Sequence, residues 1–284
     1  MPTVQIPTEY MTVAPLIVTS PTTRCGTTLL QRLFTTADNG FVFGETIGGH
    51  FAALTEVLAS EILNCETSGA INEAALEKAL KGNMPNWHPA MAPPSSVMLQ
   101  AMVATYFQLP KALEAYTASL GRPIWGFKFP AYSCRTIKLM LSVMPNAKVI
   151  YILRNLFDVL KSAKARKFVK SQEDVRKFCA DWSNKMNEIT ELANDERVLF
   201  VKYESLMAQR DDHIQLLQLF TGLTNLDPAT FDIKINTLQG KAENGHSPTQ
   251  YIEPATLTGA DRAAIVEQAG PVMRHLYGDL MKAA

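Results

Sequence analysis

Residues 20–28 read SPTTRCGTT, directly after the apolar run PLIVT and directly before LLQRLF. Strand, loop and helix in that order make a site for anions, because the first N–H groups of a helix carry partial positive charge and have no partner within it. Gly26 lets the backbone come close to a ligand, Arg24 adds a full charge, and Thr27 and Thr28 offer hydroxyl donors. A nucleoside-triphosphate loop reads G-x-x-x-x-G-K-[ST]; here Thr27 stands where the lysine belongs. The other reading of the segment is an ordinary strand-to-helix turn with a threonine N-cap.

A second constellation lies at 149–162, VIYILRNLFDVLKS. Arg154 closes a strand, Asn155 is placed to cap the next helix, and Ser162 sits two turns into it. A guanidinium fork and a hydroxyl so placed can share one phosphate monoester. Asp158, in the first turn, suits the helix dipole and reads as structural. Three residues compete as general base: Glu45, after the strand FVFG; His50, in the same segment; and His88, in the proline-rich loop 83–96, where it could line an acceptor pocket. Lys128, in IWGFKFP, is either an extra cation at a strand end or a solvated strand-edge lysine. His213 and His275 fall within helical patterns and read as ordinary helix residues. Cys25, beside Arg24, is placed to be a thiol of lowered pKa. Arg32 is not at the C-x5-R spacing of a phosphatase loop, which argues against a nucleophilic role for that cysteine. No His/Cys cluster has metal-ligand spacing, so no metal is expected.

Five short β-branched runs must carry these residues: LIVT (16–19), FVF (41–43), IWGFKF (124–129), KVIYIL (148–153) and RVLFVKY (197–203). Helical periodicity lies between them, at 29–34, at 72–82 with Asn72 as cap and Gly82 as stop, and at 172–192. A last helix spans 258–277, with Thr258 and Asp261 spaced as a capping pair. Alternating strands and helices predict an α/β fold, a P-loop-type, mostly parallel sheet flanked by helices. Ligands in such sheets collect at the carboxyl ends of the strands. Residues 46–121 break the rhythm and read as a mainly helical insertion or lid within a single domain spanning 1–284.

Composition narrows the function. With 47% hydrophobic and 19% charged residues over 284 positions, the chain can build a full core and is not disordered. Its 27 basic and 27 acidic residues cancel, which disfavours a nucleic-acid coat. Four scattered cysteines without a C-x-x-C pair suit a reduced compartment. The N-terminal segment lacks the basic and apolar regions of a signal peptide, and no run approaches about 18 apolar residues. A cytoplasmic protein, with neither nucleic acid nor membrane as partner, is expected.

Together the two anion motifs resemble the sulfotransferase family, which uses 3′-phosphoadenosine 5′-phosphosulfate (PAPS). The family's 5′-phosphosulfate loop looks like P-R-S-G-T-T-x-L, matched by TTRCGTTLL. Its 3′-phosphate motif looks like Y-x-x-R-N-x-x-D-x-x-x-S, matched from Tyr151 to Ser162 at every fixed position. VLFVKYESL (198–206) is similar to the family's strand ending in Y-E-D-L. The resemblance implies that Arg24, Cys25, Gly26, Thr27 and Thr28 form the phosphosulfate loop, that Arg154 and Ser162 hold the 3′-phosphate, and that Tyr203 lies near the adenine. It implies a strand-end lysine, Lys128, directed at the bridging oxygen. The segment F-G-E-T is similar to that of glutamate-base members, which favours Glu45. GKAENGHS (240–247) is similar to the family's K-G-x-x-G segment with altered spacing, and makes Lys241 a further contact. Cys25 for the usual serine, and Thr22-Thr23 for the usual proline, depart from the pattern. The implied activity is transfer of a sulfuryl group from PAPS to a hydroxyl or amine of a small metabolite or natural product, releasing adenosine 3′,5′-bisphosphate without a metal. The alternatives are a P-loop kinase-like phosphotransferase, which would need the absent loop lysine, and a non-catalytic nucleotide-binding protein of the same fold.

Overall fold

The computed structural model describes residues 6–83, 91–233 and 252–281. Five parallel strands form one sheet: β1 (Leu16–Thr19), β2 (Gly40–Phe43), β3 (Ile124–Lys128), β4 (Lys148–Leu153) and β5 (Val198–Lys202), in the order β2-β3-β1-β4-β5. All five runs foreseen from β-branched composition are strands. Each is nearly all apolar because both faces of a parallel sheet are covered. Ile17, Phe127 and Tyr151 point into one core, while Leu16, Val18, Ile150 and Ile152 point into the other.

From β1 the chain leaves to one side, through α1 (Thr27–Thr35) to β2; from β3 it crosses to the other side, through α4 (Cys134–Val143) to β4. The direction of winding therefore switches at β1, and a crevice opens over its carboxyl end. The register aligns Val18 with Lys128 and Thr19 with Tyr151, so β3 and β4 end beside the loop that follows β1. After β4 come α5 (Leu156–Ala165) and α6 (Gln172–Glu188). After β5 come α7 (Tyr203–Ala208), α8 (Arg210–Thr221) and α9 (Gly259–Met281). Thr258 and Asp261 cap α9 reciprocally, with bonds from the Thr258 N–H at 2.8 Å and the Asp261 N–H at 3.2 Å.

Between β2 and β3 stand two long helices, α2 (Glu45–Leu80) and α3 (Ser95–Ser119). One expectation is corrected here: no helix starts at Asn72, because α2 runs unbroken through it for 36 residues. Asparagine inside a helix costs at most about 0.7 kcal/mol, too little to interrupt a helix that buries Phe51, Leu58 and Ile62. Gly82 does end it, at φ 77°, with the Gly82 N–H on Ala79 O and the Asn83 N–H on Lys78 O. Phe51 anchors α2 to the sheet by stacking on Phe127 at 4.1 Å.

Candidate active site

The loop between β1 and α1 holds its shape by local means. Ser20 Oγ donates to the Thr22 carbonyl at 2.7 Å, and Gly26 takes φ 109° as the N-cap of α1. A Cβ at Gly26 would lie 2.7 Å from Tyr203 Cδ2 and 3.0 Å from Ile152 Cδ1, so glycine is needed for both conformation and space. Arg24 sits at φ 73°, a left-handed conformation that costs a residue with a Cβ roughly 1–2 kcal/mol. The first two residues of α1, Thr27 and Thr28, line the cleft, where the N–H groups of a helix N-terminus favour an anion.

The second motif meets this loop. Arg24 Nε donates to Ser162 Oγ at 3.0 Å, and Arg154 Nη1 reaches the Arg24 carbonyl at 3.3 Å. The Arg154 guanidinium lies 4.2 Å from the centre of the Tyr203 ring. Its Nε is buried without a hydrogen-bond partner among the described residues. Burial lowers the Arg24 pKa, and the like charges of Arg166 and Arg154 lower it further. Cations gathered this closely favour a bound anion.

Asn155 caps α5, accepting from the Asp158 N–H at 3.0 Å. Its own backbone N–H and side-chain amide both donate to Glu204 Oε1, at 2.9 and 2.6 Å. Glu204 thus fixes the strand-to-helix corner that presents Arg154 and Ser162. Sequence reading passed over it, although it is the glutamate of YES in the same run that identified Tyr203. Burial works to raise the Asp158 pKa, but hydrogen bonds from Asn155 and Lys161 hold it below the usual value.

At the other end, Lys128 is buried, with 4% of its surface exposed, and is not a solvated strand-edge lysine. Its Nζ donates to Thr28 Oγ1 at 3.0 Å and to Glu45 Oε1 at 2.5 Å. Glu45 opens α2, and its side chain is 56% exposed. Arg24, Gly26, Thr27, Thr28, Glu45, Arg154, Ser162 and Tyr203 all line one cleft of about 420 Å³. Phe168, Met207, Phe231, Ile233 and Pro254 form its apolar wall; none was singled out from sequence, since scattered apolar residues carry no local signature.

Two sequence candidates sit elsewhere. His50 is exposed on α2 and does not line the cleft. Cys25 is fully buried, packed into the core behind the loop, and does not line the cleft. The expected lowered thiol pKa is corrected: burial pushes it up to about 12, outweighing the field of Arg154. His88 and Lys241 lie outside the described residues. Among the described residues, no three His, Cys, Asp or Glu side chains gather as a metal site.

The model of the sulfotransferase family matches residues 15–228, from β1 to beyond β5. The chain belongs to the sulfotransferase family. No curated protein sequence matches this sulfotransferase. In fold it is similar to the sulfotransferase domain of the Synechococcus PCC 7002 olefin synthase, at 17% identity and TM-score 0.52, over 94% of this chain and 97% of that one. Similarity also extends to a sulfotransferase from Alicyclobacillus acidocaldarius, at 12% identity and TM-score 0.49, covering 93% and 94% of the two chains. A mouse sulfotransferase, SULT7A1, complexed with PAP matches at 13% identity and TM-score 0.48, over 95% and 88%. The family match spans both anion motifs and the Lys128–Glu45 pair, so every described element that builds the sulfotransferase cleft, apart from the wall contributed by Phe231, Ile233 and Pro254, falls within it.

Proposed function

We propose that this sulfotransferase moves a sulfuryl group from PAPS to a hydroxyl or amine of a small metabolite or natural product. The observation that carries this reading is the convergence of Arg24, Arg154 and Ser162 on a cleft headed by the N-terminus of α1. The cleft residues fit such a cofactor: Arg154 Nε is buried with no hydrogen-bond partner among the described residues, and Arg24, Arg154 and Ser162 gather beside the N-terminus of α1. When bound, PAPS would supply the activated sulfuryl group on a phosphate leaving group. The α1 N–H groups, Thr27, Thr28 and Arg24 would bind the phosphosulfate end, with the buried Cys25 packing the loop from behind. Arg154 and Ser162 would bind the 3′-phosphate, and Tyr203 would lie along the adenosine.

Sulfuryl transfer, like phosphoryl transfer, has a loose transition state, so the protein's task is to position groups and neutralise charge. Glu45 takes the acceptor's proton onto a carboxylate oxygen as the acceptor attacks. Lys128, held between Glu45 and Thr28, orients that carboxylate and supplies positive charge beside the loop. We take the whole chain as one domain, with 46–121 as its mainly helical insertion, since α2 leads into that insertion directly from Glu45. Four unpaired cysteines suit a cytoplasmic enzyme. No helix among the described residues is long and apolar enough to cross a membrane.

Thermal-shift titration tests the cofactor, and labelled PAPS with a panel of hydroxyl and amine acceptors tests the reaction. Adenosine 3′,5′-bisphosphate should raise the Tm in a concentration-dependent way. Stabilisation by ATP–Mg²⁺ alone, with no label transfer from PAPS, would overturn the reading in favour of a kinase.

A further inference from the structure

Helix α2 touches Lys128 twice. Glu45 meets its ammonium at 2.5 Å, and one turn later Gly48 rests against its backbone. A Cβ at Gly48 would lie 2.7 Å from the Lys128 carbonyl oxygen and 2.5 Å from Phe129 Cβ. Neither atom can rotate away, as the tip of a long side chain could. The segment beneath the helix is also fixed: the Phe129 N–H bonds to Val18 O at 3.0 Å, and the Ala131 N–H to Ser20 O at 2.8 Å. From that floor the buried Tyr132 donates its hydroxyl to the Gly48 carbonyl at 2.5 Å, with its ring stacked on Phe129. Gly49, next in sequence, has only an ordinary contact, Phe129 Cε2 at 3.6 Å from a built Cβ.

We propose that Gly48 and Tyr132 are positioning residues for the transfer reaction: the bare Cα and the hydroxyl dock α2 onto the end of β3 at the one distance that sets Glu45 against Lys128. Residues 45 and 48 are three apart and share a helix face, so lifting Gly48 off the floor lifts Glu45 with it. The inference rests on Glu45 being the general base. Neither residue lies where Arg24, Arg154 and Ser162 gather, so docking of α2 should govern turnover and leave cofactor binding alone.

The test compares Gly48→Ala with Gly49→Ala, since both gain the same helix propensity and only the first meets backbone. Displacing a reacting group by about 1 Å can cost on the order of a hundredfold in rate. Gly48→Ala should therefore lower kcat roughly 10- to 100-fold with the KM for PAPS within about twofold, while Gly49→Ala stays near wild type. In a Glu45→Gln background, Gly48→Ala should cost nothing more, because groups acting as a unit are not additive. Wild-type kcat in Gly48→Ala, or an undiminished loss in the Glu45→Gln background, overturns the proposal. If Gly48→Ala does not fold, Tyr132→Phe replaces it, with a kcat loss of about 3- to 10-fold expected for one lost positioning hydrogen bond and an unchanged kcat overturning the idea. Should Glu45→Gln by itself keep full turnover, the base assignment fails. Docking is then read from a crystal structure of Gly48→Ala: a Glu45–Lys128 contact opened beyond hydrogen-bond reach upholds it, and an unchanged contact sinks it.

Discussion

Arg24 Nε lies 3.0 Å from Ser162 Oγ, joining the loop after β1 to the second turn of α5 across 138 residues of sequence. The contact ties the two anion motifs into one surface. It also gives Ser162 a cationic neighbour other than Arg154, whose guanidinium is turned over Tyr203.

Arg154→Ala and Ser162→Ala should each weaken adenosine 3′,5′-bisphosphate. Loss of one partner of a charged hydrogen bond costs about 1.5–3 kcal/mol, or roughly ten- to a hundredfold in affinity. Calorimetry reads this directly; unchanged affinity in both variants would remove the 3′-phosphate assignment.

Glu45→Gln keeps the side-chain shape and the contact with Lys128 but cannot take a proton. Turnover should fall by about 10²–10⁴, the range of general-base contributions. Bisphosphate affinity should stay nearly intact. Steady-state kinetics with labelled PAPS would decide it, and loss of turnover in His50→Ala or His88→Ala instead would assign the base to a histidine.

Activity should survive EDTA. The loop offers threonine where a Mg²⁺–nucleotide loop needs lysine, and the proposed reaction assigns anion binding to arginines and a helix terminus rather than to a metal. Assays before and after chelation check this; complete loss restored by one divalent ion would contradict it.

Cys25 should resist alkylation in the native enzyme. At pH 8 a thiol of pKa about 12 is ionised to about one part in ten thousand, and this one is also fully buried. Iodoacetamide followed by mass spectrometry should find label first on Cys65, which is partly exposed, with activity retained. Rapid labelling of Cys25 would show that the loop opens.

The buried Asp261 carboxylate, paired with Lys164 at 2.5 Å, should make α9 docking sensitive to acid. Burial acts to raise its pKa, but bonds from Lys164 and Thr258 hold it below the ordinary value. A lowered folded-state pKa adds stability that is fully present above the unfolded value, about 3.9, and is lost as pH falls through the folded one. Denaturant unfolding should therefore show this contribution unchanged between about pH 5 and 8 and declining below about 4. Asp261→Ala should lose about 1–3 kcal/mol at pH 7 and show a shallower acid decline.

What the sequence determined by itself is local. The five strands are legible because both faces of a parallel sheet demand unbroken apolar runs, and Arg24, Gly26, Arg154 and Ser162 because each motif spans one strand end and the helix after it. The cap at Asn155 and the stop at Gly82 are equally short-ranged. Tertiary structure alone decided which side chains meet. Lys128 joins Glu45 across 83 residues because β3 pairs with β1 in a register that sets Lys128 beside Val18, at the end of the strand that leads into the loop. Glu204 holds Asn155 because β5 ends beside β4, with Leu153 opposite Lys202. Cys25 is a buried thiol of high pKa rather than an activated one because the loop turns its side chain into the core, and neighbours in sequence cannot reveal that direction. A β3 register shifted by one residue would send Lys128 to the opposite face, so the site's identity is local while its assembly belongs to the sheet.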